Sequence, residues 1–326
     1  MKRQERFCIA AFDGPTDLLR GLLAQDKSLI TARDEIGRTA LHLAMGYLET
    51  VQLLLEQGAD PTARAQKNWT PLHYTPINHG DDPRCQLLLL RAGAKLEAKN
   101  SYASTPLFEA VSGSCLGSTA LLIGAGANLT TKTRSGETPR TIADQLHLLV
   151  SHSRCYDFQR AEINGIRELL AACENSCSPR PSPPRLSANE RRRLSRKFPI
   201  STLIELACEG NSHDLGEISE EFCGIVHLTD AEGMTLLHHA AGQAQSEAVD
   251  LLLFIGSGPN RRDLEGNTPL HHAAASGWSA PASLHLLCEA GADLAAVNGQ
   301  GKTPLDAVQD PQSPAAMYLQ GRGLRK

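Results

Sequence analysis

The sequence predicts an all-α protein made by stacking short helical repeats, and three observations carry that expectation. A six-residue motif beginning with Thr returns about every 33 positions along the chain. Hydrophobic residues make up 41 % of the sequence but aromatics only 4 %, so the core leans on Leu and Ala, which suits thin repeated layers better than one large core. The chain has 326 residues, long for a single core and ordinary for an elongated array.

The motif is visible in Thr39-Ala-Leu-His-Leu-Ala44, Thr70-Pro-Leu-His-Tyr-Thr75, Thr105-Pro-Leu-Phe-Glu-Ala110 and Thr138-Pro-Arg-Thr-Ile-Ala143. It returns in Thr235-Leu-Leu-His-His-Ala240, Thr268-Pro-Leu-His-His-Ala273 and Thr303-Pro-Leu-Asp-Ala-Val308, with a weaker copy at Thr202-Leu-Ile-Glu-Leu-Ala207. The starting threonines are spaced 31, 35 and 33 apart in the first block, and 33, 33 and 35 apart in the second. Other positions keep phase. Asp34, Asp230 and Asp263, with Asn100 and Asn298, stand five residues before the Thr, and Gly37, Gly136, Gly233, Gly266 and Gly301 stand two before it. Apolar helical stretches follow, such as Val51-Gln-Leu-Leu-Leu55 and Val249-Asp-Leu-Leu-Leu253.

Each element has a physical reason. Thr caps a first helix, and Pro fits its first turn because that N–H needs no partner. Leu and Ala face inward, and small Ala lets helices approach closely. Gly after the second helix supplies a left-handed cap, as in Gly58-Ala-Asp60 and Gly291-Ala-Asp293. The Asp-x-x-Gly stretch makes a turn leading into the next Thr. One such unit cannot bury its apolar face alone, so neighbours must stack.

This pattern resembles the ankyrin repeat, whose period is 33 and whose signature is T-P-L-H-x-A. The resemblance runs over most of the chain and implies an α-solenoid of about nine helix-turn-helix units with short β-hairpin turns, degenerate caps included. It implies that His42, His73, His238 and His271 tie neighbouring loops together by hydrogen bonds and have no catalytic role. It also implies a protein that binds other proteins with its hairpin tips and inner helices, which form one concave face. His239 and His272, by phase, face solvent or that groove.

Residues 6–38 read as a degenerate first repeat without Thr-Pro, built on Ala10, Ala11, Leu18, Leu19, Leu22 and Leu23. The last unit is short and closes with a helix at Ala315-Ala-Met-Tyr-Leu319. Between the blocks the pattern stretches: 144–162 reads as an enlarged loop inside one repeat, before an outer helix around Ile166-Arg-Glu-Leu-Leu170. Ser176 to Pro199 reads as an extended, mobile Pro-, Ser- and Arg-rich segment. The expected organisation is a first array at 1–174, a basic linker or loop at 175–200 and a second array at 201–326. The two arrays can be separate or one continuous solenoid.

Net charge is -4, which argues against a general nucleic-acid binder. The charge is uneven, because 178–200 holds Arg180, Arg185, Arg191, Arg192, Arg193, Arg196 and Lys197 against Glu190 alone. Nine cysteines lie scattered without a disulfide spacing, as expected of reduced thiols in the cytosol or nucleus. No apolar run has the ~18 residues of a membrane helix, and the apolar stretch Phe7–Phe12 is too short for a signal peptide. No phosphate loop or nucleophile signature is present, and no enzyme activity or cofactor is expected.

Candidate sites follow from these readings. Ile36, Arg38, Lys67, Trp69 and Tyr102 occupy variable tip positions, and Ile36, Trp69 and Tyr102 are placed to project from three successive tips as partner anchors. The competing reading has Trp69 packing back on its own repeat. The second block's tips, Ala231, Glu232 and Met234, then Leu264, Glu265 and Asn267, are more acidic and less distinctive. Arg192-Arg193-Leu194-Ser195 matches the Arg-Arg-x-Ser preference of basophilic kinases, and Ser182-Pro-Pro-Arg185 the Ser-Pro-x-Arg preference of proline-directed ones. Ser195 and Ser182 are therefore candidate phosphorylation sites, set against a plain solvated charge run. The cluster Arg191–Lys197 also fits a nuclear import signal. His152, Cys155, Cys173 and Cys177 are weak zinc candidates, since Cys-x3-Cys is not a strong spacing. The function expected is a scaffold or adaptor, and the alternative is a phospho-regulated inhibitory or targeting subunit whose basic linker switches partner binding.

Overall fold

The computed structural model describes residues 3–13, 16–74, 83–151, 157–175, 185–277 and 281–324. The described residues are helical apart from turns and one isolated antiparallel bridge between Arg33 and Thr39. Two compact units are present, one of residues 1–167 with 320–326 and one of residues 168–319.

The first unit opens on α1 (Arg3–Asp13) and α2 (Thr16–Gln25), the degenerate cap, with Phe7, Ala11 and Leu19 fully buried. Helices α3 (Ala40–Leu43) and α4 (Leu48–Glu56) form the next pair. In the repeat after that, the motif forms only a 3₁₀ turn, Pro71–His73, before α5 (Pro83–Arg91). Pro76, just downstream, lacks the N–H that another helical turn would use. Helices α6 (Pro106–Ser112) and α7 (Leu116–Gly124) follow, then α8 (Pro139–Ser151) and α9 (Asp157–Asn175).

The expectation of a loop over 144–162 is corrected here, because 144–151 extends α8 and 157–162 opens α9; 152–156 lie outside the described residues. Gln145-Leu-His-Leu-Leu-Val150 contains no Gly or Pro to stop the helix. Asp144 of α8 pairs across to Arg167 of α9 at 2.9 Å and, within its own helix, with Arg140 at 3.2 Å. Glu162, buried on α9, accepts a hydrogen bond from the Leu116 N–H at 3.0 Å and so satisfies an orphan donor at the start of α7.

The second unit contains α10 (Ala188–Lys197), α11 (Ile200–Glu209), α12 (Ser212–Glu221), α13 (Leu236–Gly242), α14 (Ser246–Phe254), α15 (Pro269–Ala275) and α16 (Pro281–Glu289). Helix α17 (Pro314–Arg322) starts in it, with Tyr318 fully buried and its hydroxyl 3.0 Å from His285 Nδ1. Helix α10 is a second correction, since the segment 176–199 was expected to be extended. Ser187 and Glu190 form a reciprocal capping box, the Ser187 N–H donating to Glu190 Oε2 at 2.7 Å, and Leu194 on the following turn is buried.

Inward positions behave as the motif requires. Leu41, Leu54, Leu72, Leu107, Ala110 and Leu121 in the first unit are buried, as are Leu237, Ala240, Leu252, Leu270 and Ala273 in the second. Each unit hides a Leu/Ala layer between successive helix pairs, and that burial is the main favourable term holding neighbours together.

Candidate functional site

Two sets of backbone hydrogen bonds fix the tips. In the first unit the turns close through Asp34 N to Arg38 O (2.9 Å), Ala65 N to Trp69 O (2.8 Å), Asn100 N to Ser104 O (3.1 Å) and Thr133 N to Glu137 O (2.9 Å). A second set runs from tip to tip: Gln66 N donates to Ile36 O (2.9 Å), Ser101 N to Lys67 O (2.7 Å) and Arg134 N to Tyr102 O (2.8 Å). Ile36, Lys67 and Tyr102 therefore occupy one repeated position, with carbonyls committed to the ladder and side chains free to point outward. The second unit has the same ladder, from Leu264 N to Glu232 O and from Gly299 N to Glu265 O.

Beneath the tips lie the motif histidines. The Thr39 N–H donates to His42 Nδ1 at 3.1 Å, so Nδ1 is the acceptor and the proton sits on Nε2, which reaches Trp69 O at 3.2 Å. His73 repeats this with Thr70 and Ser104 O, and His271 with Thr268 and Lys302 O. His238 bonds Thr235 and shares its Nε2 between Arg261 O and Asn267 O. Burial pushes the pKa of His42, His73 and His238 down to about 4, so all three are neutral at pH 7 and the tautomer stays as the bonds require. These imidazoles are structural ties between successive loops.

The five tip candidates separate into two kinds. Ile36 and Tyr102 are 42 % and 47 % exposed, and Lys67 is exposed between them, its Nζ 2.5 Å from the Tyr102 hydroxyl and 5.2 Å from the ring centroid. Arg38 and Trp69 are half-buried. Arg38 pairs with Asp34 at 2.7 Å. The Trp69 ring packs against His73 at 5.8 Å and Tyr74 at 5.3 Å between centroids, so it packs back on its own repeat rather than standing free at the tip.

Sequence reasoning missed the groove beside the first tip. A cleft of about 670 Å³ is lined by Gln4, Glu5, Cys8, Ile9 and Phe12 from α1, by Arg33, Asp34, Glu35, Ile36 and Arg38 from the tip, and by Leu43. Ile9 and Phe12 are 48 % and 46 % exposed, while Phe7, Cys8, Ala10 and Ala11 on the same helix are buried. The available signal was the spacing Ile9-x-x-Phe12, a second apolar stripe beyond the one the cap needs for its core.

In the second unit the residue after the motif His is again His. His239 Nε2 lies 2.7 Å from Asp230 Oδ2, and His272 Nε2 lies 2.8 Å from Asp263 Oδ2. These positions, expected to face solvent or the groove, are tied to the tip aspartates. Leu264 is 78 % exposed at one tip of this unit, beside its acidic neighbours.

Ser195 is exposed on α10. Ser182 lies outside the described residues, as do His152, Cys155 and Cys177. Cys173 is half-buried on α9. Among the described residues no group of three or more His, Cys, Asp or Glu side chains is arranged to hold a metal ion, and no helix is long and apolar enough to cross a membrane.

Comparison with known proteins agrees with this geometry. The family described as "Ankyrin repeats (3 copies)" matches residues 237–309, and "Ankyrin repeat" matches 36–66. The chain is similar to the Transient receptor potential cation channel subfamily A member 1 homolog of Caenorhabditis elegans, 38 % identical over 93 residues, which is 28 % of this chain and 8 % of that protein. It is also similar to the 26S proteasome non-ATPase regulatory subunit 10, 38 % identical in Rattus norvegicus and 36 % in Homo sapiens over 66 residues, which is 20 % of this chain and 29 % of each relative. The chain thus spans less than a third of the length of these relatives. Ankyrin repeats are generally protein–protein interaction modules and typically not enzymes. With the Thr–His caps, the tip ladder and the Leu/Ala layers in place, these matches identify the repeats of this chain as ankyrin repeats and the chain as an ankyrin-repeat protein.

Proposed function

We propose that this protein is a scaffold or adaptor that binds a partner protein across the tips of its first array. The observation that supports this reading most strongly is the row Ile36, Lys67 and Tyr102, held on three successive tips by backbone hydrogen bonds and continued by the groove that Ile9, Phe12 and Leu43 help to line. Exposed apolar and aromatic side chains on a rigid frame bind at low entropic cost, because the frame is already ordered. Arg38 and Trp69 support the tips from behind. The chain is read as arrays 1–174 and 201–326 joined by the basic segment 175–200, acting in the cytosol or nucleus without nucleic acid or membrane.

The test is proximity labelling followed by binding of the purified partner, comparing the unaltered protein with Ile36→Asp/Tyr102→Ala and with Leu264→Ala. The expected result is a partner lost with the first variant, by at least 100-fold in Kd if both anchors are central, and retained with the second. A partner set unchanged in both variants, with melting temperatures equal, would sink the reading.

A second reading has the basic segment switch partner binding when phosphorylated, as an inhibitory or targeting subunit would. It is favoured by two ion pairs: Arg193 and Lys197 of the segment both pair with Glu221 at the end of α12, while Arg191, Arg192 and Arg196 remain exposed for an acidic partner.

A further inference from the structure

We propose that Glu221 controls phosphorylation of Ser195 by holding the kinase-recognition sequence around it in a docked helix. The sequence a basophilic kinase would read is Arg192-Arg193-Leu194-Ser195. Two of these four residues serve the dock. Leu194 is 2 % exposed, and Arg193 Nη2 lies 3.2 Å from Glu221 Oε1 with its guanidinium 5.6 Å from the Phe222 ring centroid. Lys197, one turn on, places Nζ 2.5 Å from the other carboxylate oxygen of Glu221. At 100° per residue, Arg193, Leu194 and Lys197 share one side of α10, and Ser195 falls on the opposite side with Arg191, Arg192 and Arg196, all exposed.

The hydroxyl is therefore reachable while the sequence around it is not readable. A protein kinase takes its substrate as an extended strand across the cleft, so Arg193 must leave Glu221 and Leu194 must leave its buried site before Ser195 reaches the catalytic base. A ten-residue helix is marginal on its own, so α10 persists through the capping box at Ser187 and the contacts to Glu221 and Phe222. Exposed ion pairs hold weakly, which makes the dock an equilibrium and not a lock.

In the transfer step Ser195 Oγ attacks the γ-phosphorus of kinase-bound ATP. The bond from that phosphorus to the β–γ bridging oxygen breaks, ADP leaves, and the hydroxyl proton passes to the kinase's base. The product carries about two negative charges in the last turns of α10, where the helix dipole disfavours them, so the modified segment re-docks less readily. This deepens the second reading above. The gate itself is measured with no partner present, so its failure and the failure of that reading are distinguishable.

The experiment uses the full-length protein, the catalytic subunit of cyclic-AMP-dependent protein kinase and ATP, with the initial rate of phosphate incorporation at Ser195 read by mass spectrometry. Four proteins are compared: unaltered, Glu221→Gln, Ser187→Ala, and Ser195→Ala as the blank. Glu221→Gln is expected to raise the rate about 5-fold, the scale of an exposed ion pair, and Ser187→Ala to raise it through loss of the cap. Equal rates in the first three proteins, or no phosphate on Ser195 in any of them, overturn the proposal.

Discussion

The first and second units use the same tie and present different surfaces. In both, a motif His accepts from its own Thr N–H and reaches a carbonyl of the next loop: His42 and His73 in one, His238 and His271 in the other. In both, an Arg one residue before the tip straps two loops, Arg33 to Gly37 O and Arg64 O, and Arg262 to Gly266 O and Val297 O. The residue after the motif His differs, being Leu43 or Tyr74 in the first unit and His239 or His272 in the second. The first unit uses these positions for packing, Leu43 being buried and Tyr74 lying against His42 and Trp69, while the second spends its equivalents on bonds to Asp230 and Asp263. The frame and the outward tip side chains vary independently, because the frame is built from main chain, the Arg straps and buried Thr–His pairs, while Ile36, Lys67 and Tyr102 join it through their backbone.

If the ties are equivalent, acid should break both units, and the first more readily. His42 and His73 in the first unit, and His238 in the second, titrate at about 4 because burial disfavours the imidazolium, and the pKa of His271 is lowered for the same reason. A His whose folded pKa is lowered is protonated first in the unfolded chain. Its contribution is therefore present above pH ~6.5 and lost as pH falls through about 4, on the order of 3 kcal/mol for each of the three most shifted. Urea melts of Trp278→Phe, read by Trp69 fluorescence, should show the first unit's midpoint falling steeply between pH 7 and pH 4.5. A flat midpoint over that range would remove the histidines from the account.

Removing a single tie comes next in size. His73→Ala leaves the Thr70 N–H and the Ser104 carbonyl without their partner in a buried setting, and should cost about 2–3 kcal/mol. His271→Ala should cost a similar amount in the second unit, measured by the same chemical melts. A loss in only one unit would show that the shared geometry hides unequal load.

The smallest expected effect separates the tips. The tip position two residues before the Thr is left-handed in both units: it holds Gly233, Gly266 and Gly301 in the second, and in the first Gly37 and Gly136 together with Asn68 and Ala103 at φ +60° and +58°. A Cβ on Gly266 would sit 2.9 Å from the Gly299 backbone nitrogen, so Gly266→Ala should cost roughly 1–2 kcal/mol. Ala103→Gly runs the other way and should stabilise by about 0.5–1 kcal/mol in thermal melts. A loss on Ala103→Gly would mean that the left-handed tip of the first unit carries little strain.

How far each part could be read in the sequence follows from the range of the forces involved. The Thr–His caps, the inward Leu and Ala and the turn glycines are local, and local rules placed them. Residues 144–162 misled because a wide gap between motifs looked like a loop, although nothing in Gln145–Val150 breaks a helix. Helix α10 was also legible, since Ser187-x-x-Glu190 is a capping box, but the Pro-rich composition just before it dominated the reading.

The sequence by itself determined the repeat, its phase, the tie role implied for the histidines and the row of tip positions, because each depends on contacts within one unit or between identical neighbours. Tertiary structure alone decided which tip residues are exposed. Trp69 turned inward onto His73 and Tyr74, Ile9 and Phe12 opened a groove with Ile36, and Glu221 took hold of a basic helix 24 and 28 residues before it in the chain. Such pairings join residues that no period relates, so only the folded chain brings them together.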